Sequence, residues 1–123
     1  MEIDILKLFK SLSYAFQGLK QSIIREQNFR IELSMGLIAI LMGFLLRINF
    51  IEWIWVINSI VLVLSFELIN TSIERLTDLA SDKRKTGLAR QAKDIAAAGV
   101  LITVFQSIIA AMVIFLPKII KML

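Results

Sequence analysis

The sequence predicts an all-α membrane protein with an amphipathic surface helix near its N-terminus, followed by three transmembrane helices. The first observation behind this fold class is composition, since 58% of the 123 residues are hydrophobic, against about 45–50% in soluble domains. The second is the presence of three long runs without any charged residue. We expect one integral-membrane domain over residues 1–123.

The N-terminal segment has the apolar spacing of an amphipathic helix. Its large apolar residues recur at alternating steps of four and three, at Ile5, Phe9, Leu12, Phe16, Leu19 and Ile23. This spacing puts them on one helical face. Lysines lie on the other faces, which favours a helix over residues 1–28 that lies in the membrane interface with its basic face toward lipid headgroups. An ordinary packed helix of a soluble bundle is the alternative.

The uncharged runs are 33–46, 53–66 and 95–116. The first is shorter than the roughly 20 residues that a membrane span needs, but apolar neighbours on both sides extend it. Trp53 and Trp55 begin the second run, as expected of an aromatic belt. The predicted membrane helices are 29–48, 52–79 and 88–117. The chain between the last two, residues 80–91, is predicted to be a cytoplasmic loop, and Pro117 closes the third run.

The basic residues predict the orientation. Of fourteen Lys and Arg residues, all but Arg47, Lys118 and Lys121 lie on the side of the predicted bundle that holds the N-terminus. Cytoplasmic segments carry such an excess of Lys and Arg, so the N-terminus is predicted to be cytoplasmic. The same distribution explains the net charge of +4 without invoking nucleic acid.

Four polar residues form a stripe on the second predicted membrane helix: Glu67, Asn70, Glu74 and Asp78. At about 100° per residue they fall within roughly 80° of one another. Glu67 lies roughly 21 Å along the helix from Trp53, which places it near the cytoplasmic boundary of a core about 30 Å thick. Ionisable residues at such positions are costly and usually serve a function.

The composition restricts what chemistry this stripe can perform. Because the chain has no Cys and no His, a general base or metal ligand would be a carboxylate, an amine or a hydroxyl. Carboxylates, one Asn and a nearby Lys suit a magnesium–phosphate site where a lipid acceptor meets ATP. The sequence contains neither a Walker-A loop nor a GxGxxG motif.

Two other classes of protein remain open from the residues alone. One is a small transporter or channel subunit that uses Glu67 as a coupling site, although such a site would be expected nearer the membrane midplane. The other is a structural membrane protein in which the acids pair with Arg25, Arg30 and Arg75.

The sequence resembles the prokaryotic diacylglycerol kinase / undecaprenol kinase family of small membrane lipid kinases over nearly its whole length. Four segments carry the resemblance: Tyr14-Ala-Phe-Gln-Gly18, Glu26-Gln-Asn-Phe-Arg-Ile-Glu32, Glu67-Leu-Ile-Asn-Thr-Ser-Ile-Glu74 with Asp78, and Ala92-Lys-Asp94 with the alanines that follow. The third segment combined with Ala-Lys-Asp some twenty residues later is the most specific signature.

The resemblance implies roles for individual residues. Glu67 matches the catalytic base toward the lipid hydroxyl, assisted by Asn70, and Glu26 and Glu74 match the carboxylates that hold magnesium with ATP. The implied nucleotide-binding residues are Lys7, Tyr14, Glu26, Glu74, Asp78, Lys93 and Asp94. The implied lipid-site residues are Arg30, Glu32 and Glu67. At Lys7 the family usually has Arg, so the point charge of an ammonium group replaces the forked, bidentate guanidinium group.

The resemblance also implies a bacterial plasma-membrane enzyme with a cytoplasmic active site, a homotrimer with shared active sites, Mg²⁺, and ATP as co-substrate. Ile51-Glu-Trp53 and Phe115-Leu-Pro-Lys118 resemble the Gram-positive branch, which favours undecaprenol as the lipid and leaves diacylglycerol as the alternative. The loop over 80–90 is one residue longer than usual and lacks the family's Glu-x-His element, so no nucleotide contact is assigned there.

Overall fold

The computed structural model describes residues 3–123, which form four helices. These are α1 (Ile5–Arg25), α2 (Gln27–Leu45), α3 (Phe50–Ala80) and α4 (Gly87–Met122). Helices α2, α3 and α4 are long and apolar enough to cross a membrane, and the described residues include no strand. The predicted fold class, a surface helix followed by three membrane helices, is confirmed. Residues 1 and 2 of the predicted surface segment lie outside the described residues.

Helix α1 leaves most of its surface uncovered within one chain. The Asp4 side chain caps its first turn by accepting a hydrogen bond from the Lys7 amide at 3.1 Å. Of its residues only Ser22 is buried, whereas Phe9 and Phe16 are 66% and 69% exposed. Such a row of exposed large apolar side chains is the expected surface of a helix that rests on lipid.

The α2–α3 connection is a tight turn stabilised by a capping box. Asn49 caps α3 by accepting from the Glu52 amide, and the Glu52 carboxylate accepts from the Asn49 amide, both at 2.9 Å. This exchange satisfies two backbone donors that a helix start leaves unpaired. Arg47 adopts a φ of 52° just before the turn, where the chain leaves α2.

The α3–α4 connection is shorter than the predicted loop over 80–91. Between α3 and α4, residues 81–86 lie outside the helices. Helix α4 begins early, at Gly87, because the Thr86 side chain accepts a hydrogen bond from the Ala89 amide at 3.1 Å. A hydroxyl at this position is a strong helix-start signal. Asp82 and Lys83 make the reversal with φ values of 53° and 57°.

Helix α4 continues through Pro117 to Met122, beyond the end predicted at residue 117. Proline removes one helical hydrogen bond and clashes with the preceding turn. Membrane helices tolerate it where neighbouring groups or water satisfy the freed carbonyl. Lys118, the next residue, donates to Glu52 of α3 at 3.1 Å, which holds this end of α4 against its neighbour.

The three long helices form a bundle in which α3 is central. It packs most extensively against α4 and also against α2. The apolar core lies at the predicted outer end, where Ile48, Val56, Ile114 and Phe115 are buried together. This arrangement leaves the opposite end of α3, which we predict to be cytoplasmic and call the cytoplasmic end, to bury polar side chains, and the candidate site lies there.

Candidate functional site

The cytoplasmic half of α3 buries three consecutive polar positions of one helical face. Glu67 is only 4% exposed, and Asn70 and Thr71 are similarly buried. No hydrogen bond to the Asn70 side-chain oxygen occurs among the described residues. Burying a polar group without a partner is costly, so such groups are usually kept for a ligand or another chain.

Further acidic side chains surround Glu67. Two carboxyl groups are close enough to act on it electrostatically: that of Glu74, about two helical turns further along α3, and that of Glu26, at the α1–α2 junction. Glu32 of α2 does the same from the membrane side. The structure therefore gathers four acids from three chain segments: the α1–α2 junction, α2 and α3.

One basic residue pairs with a member of this acidic cluster, which we define as Glu26, Glu32, Glu67 and Glu74, and a second pairs with an acid beside it. The Arg75 guanidinium donates to Glu26 at 2.6 Å, and Lys93 of α4 pairs with Asp78 beside the cluster. In the part of the chain that the structure describes, Glu32, Glu67 and Glu74 have no such basic partner. The cluster thus carries an excess of carboxyl groups that would attract a cation.

The donor set fits a magnesium ion that enters together with a nucleotide. Mg²⁺ prefers hard oxygen ligands and is usually held by one or two carboxylates plus phosphate oxygens. Glu26 and Glu74 supply such oxygens, and the unpaired Asn70 oxygen is a further hard donor. Within residues 3–123 no three acidic side chains converge closely enough to form a complete metal site, so phosphates would have to complete the coordination.

An apolar cavity of about 440 Å³ adjoins the acidic cluster between α2, α3 and α4. Its wall includes Glu32 at the cytoplasmic end and Phe115 at the other, with small residues such as Gly36 and Ala111 between them. The Oε2 atom of Glu32 is buried and accepts no hydrogen bond in the described part of the chain. A lipid chain in this cavity would bring a hydroxyl group to the acids.

Four of the residues implied by the resemblance do not join the cluster within one chain. Lys7 and Tyr14 lie on exposed parts of α1, and Lys7 is roughly 27 Å from the α1 C-terminus along the helix axis. The Arg30 guanidinium donates instead to the Ile23 and Ile24 carbonyls at 3.2 and 2.7 Å. Asp94 is exposed and pairs loosely with Arg90 at 3.8 Å.

The structure adds two residues for which the sequence stripe gave no role in the site. Arg75 contacts Glu26, although the two are 49 positions apart, and the side chain of Asn28 interacts with Glu67. Asn28 could have been found from its spacing, because it lies four residues before Glu32 and therefore on the same helical face. Arg75 was named in the sequence analysis only as a partner of the acids in the structural alternative, and the choice of Glu26 as its partner depends on the tertiary packing.

Comparison with known proteins identifies relatives over most of the chain. The family model described as prokaryotic diacylglycerol kinase matches residues 13–115. An undecaprenol kinase of Bacillus subtilis is 36% identical over 115 residues, covering 94% of this chain and 93% of the relative. A diacylglycerol kinase of Helicobacter pylori is 38% identical over 78% of this chain and 74% of its own length, and that of Escherichia coli K12 is 30% identical over 84% of each.

Proposed function

The chain belongs to the prokaryotic diacylglycerol kinase family and is a lipid kinase, and on this premise we propose that it phosphorylates undecaprenol with Mg-ATP at the cytoplasmic face. The observation that carries the proposal is the acidic cluster at one end of an apolar cavity. Glu32 belongs to both, so a hydroxyl on a hydrocarbon chain and a water-soluble nucleotide can meet there.

The buried Glu67 acts as the general base. It takes the proton from the lipid hydroxyl while the hydroxyl oxygen forms a bond to the γ-phosphorus of ATP. The bond from that phosphorus to the bridging oxygen breaks, and ADP leaves. Asn70, on the same face of α3, orients the reacting groups, and Glu67 later returns the proton to water.

The other residues bind and neutralise the nucleotide. Glu26 and Glu74 hold the magnesium ion, which supplies charge neutralisation to the phosphates when bound. Lys93 binds phosphate oxygens, and Asp78 and Asp94 contact the rest of the nucleotide. Lys93 pairs with Asp78, so the ammonium group lies beside the site that it serves.

The lipid side of the site uses Glu32, Glu67 and Arg30. Glu32 lines the cavity next to Glu67 and positions the acceptor so that its hydroxyl donates to Glu67. Arg30 acts at the same level by bonding the last carbonyls of α1, which fixes the junction that carries Glu26. The first isoprene units of the lipid occupy the cavity, and the rest of the chain stays in the bilayer.

Lys7 and Tyr14 act in a neighbouring copy of the chain. Tyr14 lies roughly 18 Å from Glu26 along α1 and Lys7 lies farther still, which favours contact with a nucleotide held by another copy. A homotrimer in which each surface helix covers the nucleotide of its neighbour resolves this, and the N-terminus is cytoplasmic. Diacylglycerol is the second candidate lipid, because relatives matching about 80% of this chain are named for it.

The experiment is a phosphotransfer assay on purified protein in lipid nanodiscs. With Mg-ATP we expect transfer of the γ-phosphoryl group to undecaprenol, at a higher kcat/KM than to diacylglycerol, and no transfer after chelation of divalent cations. A higher kcat/KM for diacylglycerol would overturn the choice of lipid. Full activity in the presence of a chelator would overturn the role of the metal.

A further inference from the structure

The ion pair between Arg75 and Glu26 contributes little to the fold by itself. The two side chains are 52% and 26% exposed, although their charged atoms are only 2.6 Å apart. Ion pairs with this exposure contribute at most about 1 kcal/mol because water competes for both partners. The Arg75 guanidinium can therefore leave Glu26 at small cost when a stronger partner arrives.

The position of Arg75 puts its positive charge next to the groups that would receive the nucleotide. It directly follows Glu74 on α3 and lies one turn before Asp78. Its partner Glu26 is within electrostatic range of Glu67. Arg75 thus contacts the acidic cluster directly, whereas Lys93 pairs with Asp78 beside it.

A metal ion bound to Glu26 would compete with Arg75 for the charge of this carboxylate. One of its two oxygens accepts the short Arg75 bond, so the ion pair would weaken when the metal binds. If Glu26 turns to the metal, the guanidinium loses its partner in a site that has just gained the negative charge of a triphosphate. Guanidinium groups bind phosphate oxygens in a bidentate fork, so the phosphates are the natural new partner.

We infer that Arg75 is a further nucleotide-binding residue, which pairs with Glu26 and transfers to the phosphates when Mg-nucleotide binds. The inference rests on the proposed function, in which Glu26 and Glu74 hold the metal. It predicts that Arg75 opposes metal binding before the nucleotide arrives and supports nucleotide binding afterwards.

The opposite effects of Arg75 on metal affinity and on nucleotide affinity can be measured without turnover. Binding of a non-hydrolysable ATP analogue with Mg²⁺ is followed by calorimetry in nanodiscs that lack an acceptor lipid. Arg75→Gln should weaken it about 10- to 100-fold, the loss of one charge-assisted contact. Arg75→Lys, which keeps the charge but not the fork, should weaken it by less than about tenfold. Binding of Mn²⁺ alone, followed by electron paramagnetic resonance, should tighten in Arg75→Gln.

Two comparisons separate this role from a merely structural one. Arg84→Gln removes the same charge from an exposed turn at the same face of the membrane and should change neither affinity appreciably. In a Glu26→Gln background, Arg75→Gln should still weaken nucleotide binding. If Arg75 serves only to hold Glu26, the second substitution will have no further effect.

The possible outcomes distinguish this inference from the proposed function. If the folded wild-type protein binds no nucleotide, both fail. If the wild type binds it and Arg75→Gln binds it equally well, the role of Arg75 alone is overturned. If Arg75→Gln loses nucleotide affinity, Mn²⁺ affinity and thermal stability together, that role is also overturned. Wild-type stability with intermediate nucleotide affinity in Arg75→Lys supports it.

Discussion

The two ends of the same helix bundle differ in whether their polar groups have partners. At the outer end Glu52 is fully engaged, because one oxygen accepts from the Asn49 amide at 2.9 Å and the other from Lys118 at 3.1 Å. At the cytoplasmic end Glu67 is buried with other acids around it, and the Asn70 oxygen accepts no hydrogen bond within the described residues. The outer end is arranged for stability, and the cytoplasmic end is arranged for ligands.

The energetic consequence is that the outer end must offset the cost of the cytoplasmic end. Each buried polar atom without a partner costs about 1–3 kcal/mol. The outer core compensates by packing Val56 against Ile114 and Phe115, and by a tilted aromatic contact between Phe44 and Trp53, whose ring centroids are 4.8 Å apart. Ligands that satisfy the cytoplasmic end should therefore stabilise the whole protein.

The largest effect should follow from Glu67→Gln at the cytoplasmic end. The substitution removes the general base but keeps the size of the side chain, so turnover should fall by about 10²–10⁴-fold. Nucleotide affinity should change much less, and thermal stability should stay the same or rise because a carboxyl group no longer has to be buried. Steady-state kinetics, calorimetry and thermal unfolding check the three parts, and unchanged turnover would remove Glu67 from the chemistry.

The matched substitution at the outer end, Glu52→Gln, should have the opposite profile. Gln can still accept from the Asn49 amide, but it leaves the half-buried Lys118 without an opposite charge. We expect a loss of about 1–2 kcal/mol in the free energy of unfolding, between the values for exposed and buried pairs, with turnover unchanged. If Glu67→Gln and Glu52→Gln both reduced turnover, or both reduced stability, the division of the bundle into two ends would be wrong.

The same division explains how much could be predicted from the sequence. The uncharged runs are recognised by their length, and the stripe from Glu67 to Asp78 is recognised by its helical spacing. Both are local features of the sequence, so the membrane helices and the buried face of α3 were predictable. The α4 start at Gly87 depends on the Thr86 cap, and its end beyond Pro117 depends on packing against α3. The partners of Arg75 and Arg30 depend on tertiary contacts, which local spacing does not encode.

A smaller effect should follow from Gly43→Ala in the outer core. A methyl group at this position would lie 2.7 Å from the Trp53 ring and 3.0 Å from Ile48, so the packed side chains would have to move. We expect a loss of about 1–3 kcal/mol in unfolding free energy, as for other overpacked cores, with turnover of the folded protein preserved. Denaturant titration in detergent measures this loss in unfolding free energy.

Gly18→Ala on α1 is the control for this substitution. No heavy atom lies within 4 Å of its added methyl group, and alanine favours a helix over glycine by about 1 kcal/mol. This variant should therefore be as stable as the wild type or more so. Equal destabilisation by the two substitutions would show that the outer core is not tightly packed.

The smallest effect should follow from Gln106→Leu, which tests where the two ends meet. The Gln106 amide donates to Ser59 at 3.1 Å, but its oxygen is buried and accepts nothing in the described part of the chain. Leucine removes that unsatisfied oxygen, and Ser59 still donates to the Trp55 carbonyl. Hydrogen bonds between membrane helices contribute about 0.6 kcal/mol on average, so the gain and the loss should nearly cancel. Unfolding and turnover should both stay near wild-type values, whereas a clear loss of turnover would extend the functional end of the bundle as far as Gln106.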